Sequence, residues 1–419
     1  MSAVTAPALR SERTILLTLA AVQFTHILDY MIMMPLGAGL MREFELSPAQ
    51  FSHLVAAYGG AAAIAGIIGG FFLDRVDRKH ALLWLYSGFG LATLACALAP
   101  SHHALLAARL LAGAFGGLAG AVVVATVGDV VPPERRGRGF AMVMSAFPLA
   151  SIAGVPLGLT LANRFQWHAP FFLLAALAGP ILLAITRNIP SRPPLTLTGP
   201  RPHPFLAMRD LLAERVHWRG FAVTAALIFS GSCVIPFMAP SMIANVGLTE
   251  SQLPFVYFFG GLATFASTRW IGQLTDRHDK LHVLAAITVP AIAAVLILTR
   301  LGPAPLPLVL IVTTLFFVGM SGRFGPATAL VANSVAPRFR GGFMSLNSAI
   351  QQGVGALANL AGGALVWSDA TNHLYGYEHV GLLATAAFLL TLVLAHRLRA
   401  AAPHAATNAP FPAASVAGD

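Results

Sequence analysis

The 419-residue sequence predicts an all-α membrane protein of twelve transmembrane helices, arranged as two related six-helix halves. Three observations carry that expectation. The composition is 57% hydrophobic and only 10% charged, with a mean hydropathy of +0.74; a soluble chain carries about 25% charged residues, so this one could not keep its surface in water. Apolar runs long enough to cross a bilayer recur along the whole chain. A set of short motifs from the first half also returns in the second at a near-constant offset.

A hydrocarbon core of ~30 Å needs about 20 predominantly apolar residues per helix. By that ruler the spans fall at 14–38, 50–73, 81–100, 104–131, 139–163, 169–188, 219–245, 253–274, 282–301, 305–333, 341–366 and 379–396. The first follows Arg10 and Arg13, is too long for a signal-peptide core and has no small-residue cleavage site after it, so it reads as a retained span. The expected domains are an amino-terminal bundle at 1–188, a linker at 189–218, a carboxy-terminal bundle at 219–399 and a disordered tail at 400–419. Proline at 190, 193, 194, 200, 202 and 204 stiffens the linker. Its second part, Phe205 to Trp218, reads either as a helix lying in the membrane interface or as an ordinary connecting loop.

Lys and Arg set the orientation. With the amino terminus inside, Arg75, Arg78 and Lys79, then Arg135, Arg136 and Arg138, then the six arginines from Arg187 to Arg219, then Arg277 and Lys280, Arg338 and Arg340, and Arg397 and Arg399 all join Arg10 and Arg13 on the cytoplasmic side. Only Arg42, Arg164 and Arg300 face outward, and Arg109, Arg269 and Arg323 fall within spans. Both termini are therefore expected in the cytoplasm, in an inner (plasma) membrane. The formal charge of +10 does not mark a nucleic-acid partner, because the basic residues sit in short clusters with no basic face. Cys96 and Cys233 lie inside apolar runs and build neither a disulfide framework nor a metal site.

The halves repeat. Gly70-Phe-Phe-Leu-Asp74-Arg75-Val-Asp77-Arg78 returns as Gly272-Gln-Leu-Thr-Asp276-Arg277-His-Asp279-Lys280, and Leu46-Ser47-x-x-Gln50 returns as Leu248-Thr249-x-x-Gln252. Arg138-Gly139-Phe140 has a near counterpart in Arg340-Gly341-Gly342-Phe343. Parallel repeats of this kind build transporters whose halves rock about a central site.

Gly70-x-x-x-Asp74-Arg75-x-x-Arg78-Lys79 resembles the signature loop of the major facilitator superfamily. Arg109-x-x-x-Gly113 in the fourth span, Ala153-Gly154-Val155-Pro156-Leu157-Gly158 in the fifth and Phe165-x-Trp167-x-x-Pro-Phe171 at the sixth are similar to the twelve-span drug/proton antiporters, particularly the sugar-efflux-like branch. The resemblance runs over essentially the whole chain. It implies two bundles around a cavity lined by spans 1, 4, 7 and 10, and a secondary active transporter that exports a small amphipathic compound against protons. It departs from the pattern at Asp77 and Asp279, where the signature has glycine, and at Ala150 and Val155 in the fifth span.

Asp29 is the one acidic residue near the middle of a span, kept against a penalty of at least ~2.5–3.5 kcal/mol. A carboxyl there is suited to taking and giving a proton. His26, one turn earlier on the same face, is the expected partner that passes or shares it. The alternative is a polar pair that merely packs against another helix. Arg109 either snorkels or, as the resemblance implies, takes part in proton coupling. Arg323, among Gly319, Gly322, Gly325 and Pro326, is expected to meet an anionic substrate group or to serve as the charge partner of Asp29; Arg269 reads as an interfacial anchor. Tyr30, Met33, Met34, Ser230, Ser232, Phe237, Tyr257, Asn347 and Gln351 are the expected lining of a broad, weakly selective substrate site. Gly70, Asp74, Arg75, Arg78 and Asp129, with Asp276 and Arg277 in the second half, are the expected gating latch: Asp74 caps a neighbouring helix and the basic residues pair with Asp129. Positive charge that merely holds the loop inside would explain the arginines but not Asp74. An organic-anion symporter or uptake system is the alternative transport reading. Catalytic groups clustered at one face, an appended sensor domain and a nucleotide-binding loop are all missing from the sequence. No enzyme activity, metal or cofactor is expected, and monomer is the default state.

Overall fold

The computed structural model describes residues 11–70, 73, 76–132, 135–191, 204–369 and 372–407. Among them, twelve long helices run in chain order: α1 Glu12–Ile32, α2 Pro48–Gly69, α3 Arg78–Ala97, α4 His102–Val130, α5 Arg136–Phe165, α6 Ala169–Asn188, α7 Arg215–Ala244, α8 Leu253–Arg277, α9 Lys280–Leu298, α10 Leu306–Asn333, α11 Arg340–Leu365 and α12 Tyr377–Ala401. Ten of them are both long and apolar enough to cross a membrane. The other two, α8 and α11, have the length, 25 and 26 residues, but carry Gln273, Asp276, Asn347, Gln351, Gln352 and Asn359. Both pack on the opposite half, α11 against α2 and α8 against α5, so much of their surface meets protein rather than lipid.

Helix starts are written in side-chain caps. Ser11, Ser101 and Asp279 accept a backbone N–H of the first turn of α1, α4 and α9. The repeated Leu-Ser/Thr-x-x-Gln motif proves to be a capping box in each half: Ser47 and Gln50 open α2, and Thr249 and Gln252 open the short turn that leads into α8. Asp77 and Asp279 likewise cap α3 and α9, which gives a local reason for an aspartate where the family signature has glycine.

Four helices are interrupted ahead of a proline. α1 ends at Ile32 and the chain turns through Met33–Leu36, around Pro35, into a short helix Gly37–Glu43. α5 has a π-turn at Ala150–Gly154 before Pro156; α7 breaks at Cys233 and Val234 before Pro236; α10 breaks at Arg323 before Pro326. Proline has no N–H to give to the carbonyl four residues back, so each break is a site where backbone polar groups are released.

The halves lock together at the end opposite the chain termini. Arg42 pairs with Glu250, Asn163 Nδ2 donates to the Glu250 carbonyl at 2.9 Å, and Phe51 meets Phe237 edge-on at 6.3 Å. One apolar cluster runs through both halves there, including Met33, Met34, Phe51, Phe237, Met242 and Phe316. Separate clusters fill each bundle toward the termini.

Two details differ from the sequence reading, and a third lies where it set no expectation. The linker segment 205–218 is not one helix: Pro204–Ala213 is helical, the chain turns at Glu214, and Leu211 is buried in the apolar cluster of the carboxy half, against Gly342 of α11. Within the tail, Pro403–Ala406 forms a helical turn that buries Ala405 and Ala406, and residues 408–419 lie outside the described residues. A two-stranded antiparallel ribbon, Trp367–Ser368 with Leu374–Tyr375, joins α11 to α12, and Asn245 bonds both the N–H and the carbonyl of Leu374.

Candidate functional site

The amino half holds a buried ion pair. Asp29, three residues before the end of α1, is fully buried, and so is Arg109 of α4. Arg109 Nη1 donates to Asp29 Oδ2 at 2.7 Å and reaches the Asp29 carbonyl at 3.3 Å. Thr93 of α3 donates to Oδ1 at 3.4 Å. The guanidinium lies 4.6 Å from the ring centroid of Tyr58 on α2. Such a pair persists in low dielectric because each charge offsets the other and the bonds to Thr93 and to the Asp29 carbonyl add to it; Arg109 Nε is buried with no acceptor among the described residues.

Glycine makes the arrangement possible. A Cβ at Gly113 would stand 2.2 Å from the Tyr58 carbonyl oxygen, and one at Gly116 would stand 2.4 Å from the Tyr58 hydroxyl. The Arg109-x-x-x-Gly113 motif therefore does two jobs on adjacent turns: it supplies the cation, and it lets α2 come close enough for Tyr58 to lie beneath it.

His26 is not bonded to Asp29. Its Nδ1 meets the Tyr58 hydroxyl at 2.7 Å, its ring stacks on Tyr58 at 6.2 Å, and it is only part-buried, facing Gly116 and Gly120 of α4. The direct His26–Asp29 pair read from their spacing is thus replaced by a line of groups: His26, Tyr58, Arg109, Asp29. One helical turn on α1 brings the two side chains to neighbouring positions, but the closer partner for each comes from another helix. Tyr30, the next residue along α1, places its ring 5.4 Å from that of Tyr58.

In the carboxy half Arg323 is also fully buried, yet it does not approach Asp29. Its Nη2 donates to Ser230 Oγ at 3.0 Å and lies 3.6 Å from Met320 Sδ, and the guanidinium sits 3.7 Å from the centroid of Phe388. The expected role as charge partner of Asp29 is therefore corrected: Arg109 fills it, from the same half.

The expected substrate residues divide. Met33 and Phe237 are packed into the closed end. Tyr257 is buried beside Phe317 and its hydroxyl has no hydrogen-bond partner; the same holds for Asn347 Oδ1. Gln351 and Tyr30 are part-exposed. Asn359 of α11, which the sequence reading passed over, is buried with its side-chain amide close to the Tyr30 hydroxyl. A cavity of about 100 Å³ between α1, α5 and α6 is lined by Phe24, Leu28, Ile32, Leu157, Leu174 and other apolar groups, and none of the candidate site residues lines it.

Of the expected latch, Arg78 Nε donates to Asp129 Oδ2 at 3.0 Å, and its Nη1 reaches the Leu73 carbonyl at 3.1 Å. Gly70 caps α2 with ordinary helical backbone angles. Asp74 and Arg75 lie outside the described residues. In the second half Asp276 and Arg277 are exposed at the end of α8, while Asp279 caps α9 and pairs with Arg399 of α12 at 2.7 Å. Among the described residues no group of three or more His, Cys, Asp or Glu side chains could hold a metal ion.

Residues 19–359 match the family model described as Major Facilitator Superfamily. An uncharacterized MFS-type transporter of Bacillus subtilis, YceJ, is 26% identical over 82% of this chain and 87% of its own length. A chloramphenicol resistance protein of Streptomyces lividans is 27% identical over 79% and 83%, and a probable sugar efflux transporter of Pasteurella multocida is 21% identical over 90% of each. The fold is similar to that of a bacterial homologue of the lysosomal transporter Spinster in an inward-facing, unoccupied conformation, with a TM-score of 0.73 at 16% identity over 94% of this chain and 99% of that one. A D-xylose–proton symporter gives the same TM-score at 14% identity over 90% and 97%. With the repeat, the twelve helices and the family match in agreement, the chain belongs to the major facilitator superfamily and is a transporter, not an enzyme.

Proposed function

We propose that this transporter is a proton-coupled exporter of small amphipathic compounds that works by alternating access, with Asp29 as the group that trades its proton. The observation that carries the reading is the buried Asp29–Arg109 pair, linked through Tyr58 to the part-exposed His26. A proton arriving at Asp29 cancels its charge and leaves Arg109 as an uncompensated cation in a low-dielectric interior. That state is costly enough to drive α1 to shift against α4. Loss of the proton restores the pair. The names of two relatives, a chloramphenicol resistance protein and a probable sugar efflux transporter, support export as the direction.

In this reading Tyr30, Met33, Phe237, Tyr257, Asn347 and Gln351 line the substrate path between the halves, and Arg78–Asp129 is the latch that opens with the inner gate. The Lys and Arg distribution supports cytoplasmic termini; in this reading the chain sits in the plasma membrane and its partners are protons, the bilayer and a small-molecule substrate.

The test is transport of chloramphenicol and a panel of small amphipathic cations, neutrals and anions in proteoliposomes, with and without an imposed pH gradient. The double variant D29N/R109Q, which removes both charges together, is expected to lose gradient-driven transport and to keep energy-independent counterflow. Undiminished gradient-driven transport by that variant would remove Asp29 from the coupling role.

A further inference from the structure

Among the described residues, Arg323 is a buried cation without a counter-charge. Every acidic residue of the carboxy half lies at a helix end or in a connection: Glu250, Asp276, Asp279, Asp369 and Glu378. Asp29, the fully buried acidic side chain of the other half, is already held by Arg109. A ring face, one hydroxyl and a thioether are what the described residues offer the guanidinium. Nε and Nη1 are buried and have no acceptor. Unpaired buried charge is among the most costly features a protein can retain, and in a membrane interior it marks a ligand path.

The backbone around it is opened for the same purpose. α10 breaks at Arg323 itself, and α7 breaks three residues after Ser230. Broken helices facing each other at the midplane are how transporters present polar groups to a charged solute.

We propose that Arg323 and Ser230 form an anion subsite that takes one small, singly charged group, a carboxylate on the transported compound or a free halide of equivalent charge. The ring of Phe388 supports the back of the guanidinium, Ser230 orients Nη2, and the unmet donors at Nε and Nη1 receive the anion. This deepens the transport reading and rests on it: the exported amphipathic compound is a monoanion where the carboxylate source holds, so that its charge cancels that of Arg323 while a proton cancels that of Asp29.

The experiment uses the full chain in lipid nanodiscs at constant ionic strength, set with a bulky sulfonate buffer salt. The thermal unfolding midpoint is read against titrations of chloride, of benzoate and of its neutral analogue benzamide. A saturable rise of ~2 °C or more at concentrations about 100-fold above half-saturation is expected for an anion and not for benzamide. R323Q is expected to abolish the rise, R323K to keep part of it, and S230A to weaken apparent affinity roughly 3–10-fold. A response to benzoate but not chloride assigns the site to a group on the solute, and a response to chloride assigns it to a free inorganic anion. A midpoint that neither anion moves, or that moves equally in wild type and R323Q, overturns the proposal. If R323Q does not fold, an unchanged anion response in both R323K and S230A overturns it instead. D29N/R109Q is expected to retain the anion response, so failure of proton coupling and failure of anion binding are read separately.

Discussion

At the scale of single residues, the amino half keeps two charges at membrane depth by making each the solution to the other's desolvation. Asp29 accepts from Arg109 and Thr93, and Arg109 rests on Tyr58. D29N alone therefore leaves Arg109 unpaired and is expected to cost roughly 3–5 kcal/mol, whereas D29N/R109Q removes both charges and recovers most of that loss. Chemical or thermal unfolding of the two variants in nanodiscs checks the order; a D29N as stable as wild type would mean the pair does not carry opposite charges. Tyr58 has two separable contributions. Y58F deletes the hydroxyl that meets His26 and is expected to cost about 1 kcal/mol. Y58A also removes the ring beneath Arg109 and adds about 0.5–2 kcal/mol for the cation–π contact, besides the loss of packing. Equal stability of the two variants would show that the ring contributes nothing to holding the cation.

Elements carry the information that brings these residues together. α2 and α4 approach closely because Gly113 and Gly116 offer no Cβ to the Tyr58 backbone and hydroxyl. G113A puts a methyl 2.2 Å from a carbonyl oxygen and is expected to destabilise by about 1–3 kcal/mol. On the same helix a Cβ at Gly128 meets nothing within 4 Å, so G128A is expected to be neutral or stabilising by up to ~1 kcal/mol. Unfolding of the two variants side by side separates close approach from helix propensity, and equal effects would refute the packing argument. The spans were legible in the sequence for a physical reason, their apolar length, whereas Ser/Thr-x-x-Gln stood there as a repeat and not as the capping box it forms. Asp77 and Asp279 were read as departures from a signature, although aspartate just before a helical run is itself a capping signal. The ribbon between α11 and α12 stayed hidden because two-residue strands leave no alternation to see. The Asp29–Arg109 pair had an available signal, since Asp29 lies near the far end of α1 and Arg109 only seven residues into α4 from that same end. One-turn spacing drew attention to His26 instead, and spacing along one helix says nothing of which neighbour from another helix comes closer.

For the whole molecule, the question is which contacts must break if the halves rock. The end opposite the termini is shut by apolar packing between Phe51 and Phe237 and by two polar contacts on Glu250, from Arg42 and Asn163. Surface ion pairs contribute little to stability, about 0–1 kcal/mol, so these polar contacts act as a reversible clasp over a seam held mainly by its apolar interior. Asn163 is near the end of α5 and Glu250 starts the turn before α8, so this contact joins the two halves directly. Both native cysteines are buried, which leaves an engineered pair as the site open to oxidant. In N163C/E250C, mild oxidation is expected to form a disulfide that halts transport almost completely, with recovery on reduction, while either single variant stays active under the same oxidant. Because the bond fixes the far end shut without touching Asp29, Arg109 or Arg323, the cross-linked protein is also expected to bind anions as before. Turnover that continues with the disulfide fully formed would show that substrate does not leave through this end, and alternating access about this seam would have to be abandoned.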